Sequence, residues 1–365
     1  MKKITFLRDC SGATSMMTVI LMGAFIGVLA LVIDLGHLHT VQNELSNAAD
    51  ACACRGARAF VPDYITDITE VDPDPANAKT QASLTILVNK SDNTSLQDLP
   101  IGDIEVGIWN YTERKLYSWA WPPDPSDWGK YIGPGIRLPT KRTAAYNYGP
   151  VSMTLANIFG ISTVPVGARA TAALSGVGGF RQESCPEVPL CINRELLDLY
   201  GKGTQIQFHP DHEDTGGWTN LLPLEQKDRT DASDIKSYLR DGPYCGNLPN
   251  ETVISMNNGV MCSATKTFIE ERDKWGLVED ADPNTKNTWV TSEPRKDYVF
   301  PVCTLDKFNQ WHIVSGVTAK IIQVSSAPDD CNIKIEIVQG NTVAPGTYGG
   351  GPWYGVLSTE PKLVQ

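Results

Sequence analysis

Cysteines are the residues of this 365-residue chain with the clearest capacity for chemistry, and six of the nine lie in the C-terminal half. These six are Cys185, Cys191, Cys245, Cys262, Cys303 and Cys331. An even number of cysteines is typical of a disulfide framework in an exported domain. Spacing favours only one local pairing, Cys185 with Cys191. A metal site is the alternative, but the paired Cys-x-x-Cys spacing and convergent histidines of such sites are both missing from the sequence.

The three other cysteines, Cys10, Cys52 and Cys54, lie near the N-terminus. Cys52 and Cys54 are two positions apart in a predicted helix. Their side chains therefore point in different directions, and we do not expect them to pair with each other.

Polar clusters offer few other candidates for chemistry. The segment HPDHED at 209–214 has carboxylates and imidazoles that suit a divalent cation, but its spacing matches no zinc motif or EF-hand loop, so a solvated loop is favoured. DASDI at 231–235 is similar to the D-x-S-x-S metal loop of von Willebrand A domains, yet Ile235 replaces the second serine. Nucleophile-elbow, zinc-protease and nucleotide-binding motifs are also absent from the sequence.

Composition excludes several classes of protein. The net charge of −11 argues against a nucleic-acid binder, which needs basic residues to neutralise phosphates. A hydrophobic fraction of 41% supports packed cores and excludes wholesale disorder. The length allows two or three domains. We expect no cofactor and find no evident small-molecule substrate.

One apolar stretch is long enough to cross a bilayer. Residues 10–33 contain no charged side chain, and about 20 helical residues span the roughly 30 Å hydrocarbon core. Signal peptides usually have shorter apolar regions, so we favour an uncleaved anchor. Lys2, Lys3 and Arg8 precede the stretch, which places the N-terminus in the cytoplasm by the positive-inside rule.

The helix is predicted to continue beyond the apolar stretch. Spacing of three and four residues predicts one apolar face formed by Leu35, Leu38, Val41, Leu45, Ala48 and Cys52. This face must be covered by the chain's own domain, by a partner helix, or by both. We expect the segment 34–60 to be the main assembly element.

The same segment resembles the N-terminal module of the TadE/TadG-like family of Flp (tight adherence) pilus-assembly proteins. That module combines a basic start, one span, an Asp-Leu-Gly element and an Asn-Ala-Ala-Asp-Ala run that closes in Gly-Ala. The matching residues are Asp34, Leu35, Gly36, Gln42, Asn47, Ala48, Ala49, Asp50, Ala51, Gly56 and Ala57. The chain departs from the family at Cys52, Cys54 and Arg55, where alanine or leucine is usual.

Hydrophobic patterns predict an α+β fold for the remainder. We expect a helix at 76–89, strands at 103–109, 115–121, 136–143 and 163–174, and a helix at 151–159. Further on, we predict short helices at 233–239 and 266–275 and strands at 311–324 and 332–338. The predicted domains are a cytoplasmic N-terminus (1–10), a transmembrane anchor (11–33), the long amphipathic helix with a small α/β periplasmic domain (34–174), a glycine-rich linker (175–179) and a mostly β disulfide-containing periplasmic domain (180–365).

Three functions are compatible with these features. The resemblance implies a non-enzymatic, bitopic inner-membrane component of a Flp-type pilus or related secretion system, with pilin-like or pilus-assembly proteins as partners. A membrane-tethered periplasmic hydrolase is an alternative, although it lacks recognisable catalytic motifs. A surface adhesin or binding module is the other alternative.

The topology is testable with reporter fusions. A periplasm-active reporter fused after residue 365 should be active, and a cytoplasm-active reporter at the same position should be inactive. Intact mass should show that residues 1–33 are retained. A mature N-terminus downstream of residue 33 would contradict the uncleaved anchor.

Overall fold

A computed structural model describes most of the chain. The described residues are 11–63, 69–97, 99–146, 148–200, 203–208, 215–227, 229–258, 261–282, 285, 287–327, 330–338 and 342–364. The basic N-terminus with Cys10 and the polar segment 209–214 lie outside the described residues.

Six α-helices are present within these ranges. They are α1 Ser11–Arg58, α2 Pro75–Thr85, α3 Arg194–Tyr200, α4 Ala232–Asp241, α5 Cys262–Glu270 and α6 Arg272–Trp275. The described strands are β1 Thr69–Glu70, β2 Lys90–Ser91, β3 Thr94–Ser95, β4 Glu105–Asn110, β5 Lys115–Ser118, β6 Ile132–Arg142, β7 Val151–Ser152, β8 Thr163–Val164, β9 Val166–Ala173, β10 Gly176–Gly179, β11 Leu190–Asn193, β12 Gln205–Phe208, β13 Gly216–Pro223, β14 Val253–Asn258, β15 Leu277–Glu279, β16 Thr288–Thr291, β17 Asp297–Leu305, β18 Trp311–Ala327, β19 Asp330–Ile337, β20 Thr342–Ala344, β21 Tyr348–Gly351, β22 Val356–Ser358 and β23 Lys362–Leu363.

Helix α1 is one continuous element of 48 residues, about 72 Å long at 1.5 Å per residue. Its large apolar side chains from Met16 to Ile33 are between 52% and 70% exposed. An apolar helix with its large side chains exposed in this way has the pattern of a membrane span, and it is long and apolar enough to cross a bilayer. Arg55 and Arg58 lie in the last turn, where cations favour the helix C-terminus.

The chain divides into two compact units. The first comprises Met1–Cys52, Ser83–Asp103 and Leu138–Ala170, and the second comprises Ala53–Ala82, Ile104–Arg137 and Thr171–Gln365. Short antiparallel pairs β2–β3 and β7–β8 belong to the first unit. The predicted mixed α+β fold, a long apolar helix followed by β-rich domains, is confirmed.

The largest sheet lies in the second unit and closes on itself. Its order is β12-β19-β18-β14-β13-β11-β17, and β17 pairs back with β18 along nine residue pairs, so five of its strands form a closed ring. Large buried side chains fill the core on this sheet, including Trp218, Phe268 and Phe300. Within this ring of five strands, closure removes the free edges that would otherwise invite pairing with another chain.

Two further sheets have five strands each. Their orders are β23-β9-β6-β4-β5 and β1-β20-β22-β10-β21. The strands predicted at 103–109 and 115–121 correspond to β4 and β5, which pair as an antiparallel hairpin with Trp109 opposite Leu116.

Segment 175–179, for which we predict a linker, contains the buried strand β10. A Cβ on Gly176 would lie 2.2 Å from the carbonyl oxygen of Pro352, and one on Gly179 would lie 2.1 Å from that of Leu248. The glycines therefore permit close backbone approach inside a sheet, which is a different use of glycine from linker flexibility.

The six C-terminal-half cysteines form three disulfides: Cys185–Cys245, Cys191–Cys303 and Cys262–Cys331. The predicted local pairing of Cys185 with Cys191 is wrong. Cys191 lies in β11, whose parallel neighbour β17 contains Cys303, so the sheet brings these two together across 112 residues of sequence. Local spacing contains no information about such strand neighbours.

The predicted helix at 151–159 is also wrong. Val151 and Ser152 pair as a strand with Val164 and Thr163, and only a four-residue 3₁₀ turn, Ala156–Phe159, follows. Gly160 then adopts φ 85°, a left-handed conformation that ends the turn after Phe159.

Disulfide mapping provides a test of this fold. Non-reducing digestion should give the three long-range pairs and no Cys185–Cys191 peptide. Because each bridge closes a loop of 60–112 residues, the chain-entropy model gives about 4–5 kcal/mol of stabilisation per bridge. Replacing Cys191 and Cys303 together by alanine should lower the unfolding midpoint markedly, whereas an unchanged midpoint would contradict the pairing.

Candidate functional site

The candidate site is the part of α1 that follows the apolar segment, together with the residues that it binds. One face of this part is buried within the chain and includes Asp34, Val41, Leu45, Ala48, Ala49 and Cys52, each at most 1% exposed. Leu38 is half-buried, and Leu35 is 54% exposed like the apolar residues before it. The chain itself thus covers most of the predicted apolar face, which is one of the arrangements left open above.

Asp34 is the first charged residue after the apolar segment, and its carboxylate binds a backbone loop. The N–H of Thr154 donates to one oxygen at 3.1 Å, and those of Leu155 and Ala156 donate to the other at 3.0 and 2.5 Å. Three backbone donors on one buried carboxylate replace the water that this charge would otherwise need.

The environment of Asp34 favours the charged form. Burial on its own raises the pKa of this carboxyl, but the three N–H donors and the positive charge available on His37 lower it more. The pKa therefore lies below its ordinary value, and Asp34 is ionised at neutral pH.

A second contact holds α1 one turn further out, where Asp92 occupies the turn between β2 and β3. Its carboxylate accepts from Nε2 of His37 at 2.9 Å and lies 3.3 Å from the guanidinium of Arg142. Its backbone N–H donates to the carboxylate of Glu44 at 2.7 Å. Two side chains of α1 are thereby fixed to one turn of the same unit.

Arg142 is only 5% exposed, and its charge is well satisfied. It donates to the carbonyl oxygens of Ser91, Tyr148 and Gly149 at 2.9 to 3.2 Å, in addition to its pairing with Asp92. Thr140, on the same strand, donates to the carbonyl of Leu45 at 2.9 Å. We call Asp34, His37 and Glu44, with Asp92 and Arg142, the juxtamembrane clamp.

Gly56, near the end of α1, allows close packing in the second unit. A Cβ at this position would lie 2.7 Å from Cδ1 of Ile136 and 2.9 Å from Cβ of Ala82. Such distances are too short for real contacts, so a side chain here would push α2 or β6 away from the helix.

The opposite face of α1 is exposed and polar. Five exposed residues follow each other at steps of three and four and therefore share one side of the helix. They are Gly36, Thr40, Asn43, Asn47 and Ala51. We call these five residues the exposed stripe. A Cβ on Gly36 would meet no heavy atom within 4 Å, so packing within the chain does not require a glycine there.

A comparison with known protein families identifies the same part of the chain, helix α1. Residues 12–59 match the Tad family, described as TadE/G-like Flp pilus-assembly proteins. The match covers the helix with the apolar segment, the clamp residues of α1 and the exposed stripe, and it confirms the resemblance of this segment to that family. Searches of curated proteins and of solved structures found no match.

The motif residues of this TadE/G-like segment divide into two groups. Asp34, Ala48, Ala49 and Gly56 are buried and shape the fold, whereas Gly36, Gln42 and Asn47 are exposed. Asp50 is half-buried, and burial raises the pKa of its carboxyl. The exposed motif residues have no evident role in packing the single chain.

The other acidic motifs have structural roles where they are described. Asp231 caps α4 by accepting from the N–H groups of Ser233 and Asp234, which completes a capping box, and Lys227 pairs with Asp234. Asp74 lies in the segment Asp-Pro-Asp-Pro at 72–75. Its carboxylate accepts from the N–H groups of Ala76 and Asn77 and thereby caps the N-terminus of α2. Among the described residues, no group of three or more His, Cys, Asp or Glu side chains is arranged to hold a metal ion.

The sequence did not point to the partners of α1 in the clamp. Asp92, and Thr140 beside the clamp, are separated from the α1 residues that they contact by 48 to 95 residues, and the donors to Asp34 are backbone groups 120 to 122 residues away. The only local signal is the Asp-Asn pair at 92–93, where both residues have positive φ angles, as in a tight hairpin turn.

Replacing Asp34 by alanine should expose the amides that it binds. Hydrogen exchange at Thr154, Leu155 and Ala156 should accelerate about tenfold or more, because these N–H groups lose a charged acceptor. Asp50→Ala, on the same helix, is the control and should leave these amides unchanged. Equal exchange in Asp34→Ala and the native protein would contradict the contact.

The same contact predicts a pH dependence. Because the folded-state pKa of Asp34 lies below its unfolded value, the carboxylate stabilises the fold fully above the unfolded pKa. The stabilisation is lost as the pH falls through the folded pKa. Protection of these three amides should therefore decline only in strongly acidic solution and should be independent of acid in Asp34→Ala.

Burial of Leu45 gives a further test. Leu45→Glu places an unpaired charge in a fully buried position and should destabilise the protein by more than about 3 kcal/mol. Gln42→Glu, on an exposed position of the same helix, should change stability by less than about 0.5 kcal/mol. Limited proteolysis of membrane preparations distinguishes them, and equal resistance would contradict the packing.

Proposed function

We propose that this protein is a bitopic inner-membrane structural component of a bacterial Flp-type pilus or a related secretion system. The observation that carries the proposal is the coincidence of the TadE/G-like match with an uncharged, exposed apolar helix. In this proposal, residues 1–10 are cytoplasmic, residues 11–33 cross the membrane, and the rest is periplasmic. The role is structural and involves no catalysis.

We further propose that other pilus-assembly or pilin-like proteins bind the exposed stripe of α1. The apolar face that runs through Val41 and Leu45 is occupied by the chain itself, so the opposite face is the one available to a partner. The small side chains of Gly36 and Ala51 allow another helix to approach closely, and Asn43 and Asn47 supply hydrogen-bonding groups.

Three disulfides support a periplasmic location of the second unit. Disulfides form and persist in oxidising compartments, and the periplasm is such a compartment. This placement agrees with the orientation that the basic N-terminal residues indicate, because both put the chain after α1 on the same side of the membrane.

Substitutions on the exposed stripe test the proposal. Asn47→Arg and Ala51→Arg should leave the disulfide pattern and protease resistance intact, because both positions are exposed. They should abolish pilus assembly, or the capture of partner proteins by crosslinking, in cells that otherwise make the pilus. Gln310→Arg, at an exposed position in the turn between β17 and β18, is the matched control and should assemble normally.

The result that contradicts the interface is normal assembly by both stripe variants. The wider proposal fails if deleting the entire gene leaves pilus formation and secretion unchanged in a strain that expresses the chain. These two failures are distinguishable, since the first concerns one helix face and the second concerns the protein as a whole.

A further inference from the structure

The loop that Asp34 binds ends in a compact apolar patch. After the 3₁₀ turn Ala156–Phe159, Gly160 adopts φ 85° and reverses the chain. Ile158 is 75% exposed, Phe159 is 71% exposed and Ile161 is 52% exposed. Single exposed apolar residues are common on soluble proteins. Three large ones within four positions indicate a surface that contacts another molecule or a membrane when the protein functions.

The position of this patch relative to the apolar segment follows from the Asp34 contacts. Asp34 comes directly after Ile33, the last residue of the uncharged stretch. Its carboxylate lies 2.5 to 3.1 Å from the N–H nitrogens of residues 154–156. A 3₁₀ helix rises about 2 Å per residue, so Phe159 is only about 6 Å along the turn from Ala156.

This distance is small compared with the thickness of the membrane interface. A bilayer of about 40–45 Å has a hydrocarbon core of about 30 Å, which leaves about 5–7 Å of headgroup layer on each side. If the apolar segment ends at the edge of the hydrocarbon, the patch falls within or next to that layer. Phenylalanine and isoleucine are side chains that gain from leaving water at such a boundary.

We propose that Ile158, Phe159 and Ile161 insert into the interfacial layer of the same membrane that α1 crosses. The loop is then a second point of attachment, and Asp34 is the positioning residue that holds it at the height of the lipid headgroups. This inference rests on the proposed membrane anchoring. The occupant is lipid, because the loop that ends in the patch is joined through the N–H groups of residues 154–156 to the first residue beyond the span.

Photo-crosslinking in the full-length chain tests the insertion. Benzoylphenylalanine replaces Phe25, Phe159 or Phe308 in separate variants, and each is irradiated in vesicles of bacterial phospholipid. Phe25 lies in the apolar segment and is 68% exposed. Phe308 is the matched reference, because it is also 71% exposed and lies in the turn between β17 and β18. Mass spectrometry then detects the covalent phospholipid adducts.

We expect lipid adducts at positions 25 and 159, with at least about fivefold fewer at position 308. Adducts at 25 without adducts at 159 would overturn the insertion and leave the anchor intact. Adducts at neither position would overturn both the anchor and the insertion. Equal labelling at 159 and 308, or a protein adduct instead of a lipid adduct at 159, would overturn the insertion alone.

The positioning role of Asp34 has its own readout. Asp34→Ala should lower the lipid adduct at position 159 several-fold while the adduct at position 25 stays unchanged. Asp50→Ala is the control and should change neither adduct. An unchanged adduct at 159 in Asp34→Ala would remove Asp34 from the mechanism.

Discussion

A carboxylate that is buried directly after a long uncharged apolar segment needs groups that replace its hydration, and in this chain backbone N–H groups provide them. Asp34 is buried, yet it receives three such donors from residues 154–156. Because burying a charge without partners is very costly, this contact fixes the loop to the end of the apolar segment. The position of residues 154–156 along the axis of α1 therefore depends on the hydrogen bonds to Asp34.

The other contacts of the clamp fix the rotation of α1 about its own axis relative to the loop that Asp34 binds. A single hydrogen-bonded point would leave the helix free to rotate, but Asp92 engages both His37 and Glu44, which lie further along α1. Arg142 balances the charge of Asp92 and ties its turn to the carbonyl groups of three other residues. Fully satisfied polar networks of this kind tend to specify one arrangement.

Helix α1 therefore changes its environment along its length and around its circumference. Its first part is apolar and its large side chains are exposed, whereas its later part has one face packed in the chain and one face exposed. A single uninterrupted helix is suited to this task, since its backbone hydrogen bonds are satisfied internally both in lipid and in water. The free face is where the TadE/G-like motif retains residues that the fold itself does not use.

The sequence by itself determined the apolar segment, the helix and the resemblance of residues 12–59 to TadE/G-like proteins. Two local properties of the sequence are enough for this: the absence of charge over residues 10–33 and the spacing of Val41, Leu45 and Ala48. Local properties can be recognised without knowledge of the fold. The tertiary structure alone decided which cysteines pair, that residues 176–179 form a strand, and that residues 151–159 contain a short strand and a turn. The first two depend on groups far apart in the chain, namely β17 beside β11 and the Pro352 carbonyl against Gly176. The third depends on the pairing of Val151 and Ser152 with Val164 and Thr163. Long-range contacts of this kind leave no periodic trace in the sequence, because only the folded backbone brings their partners together.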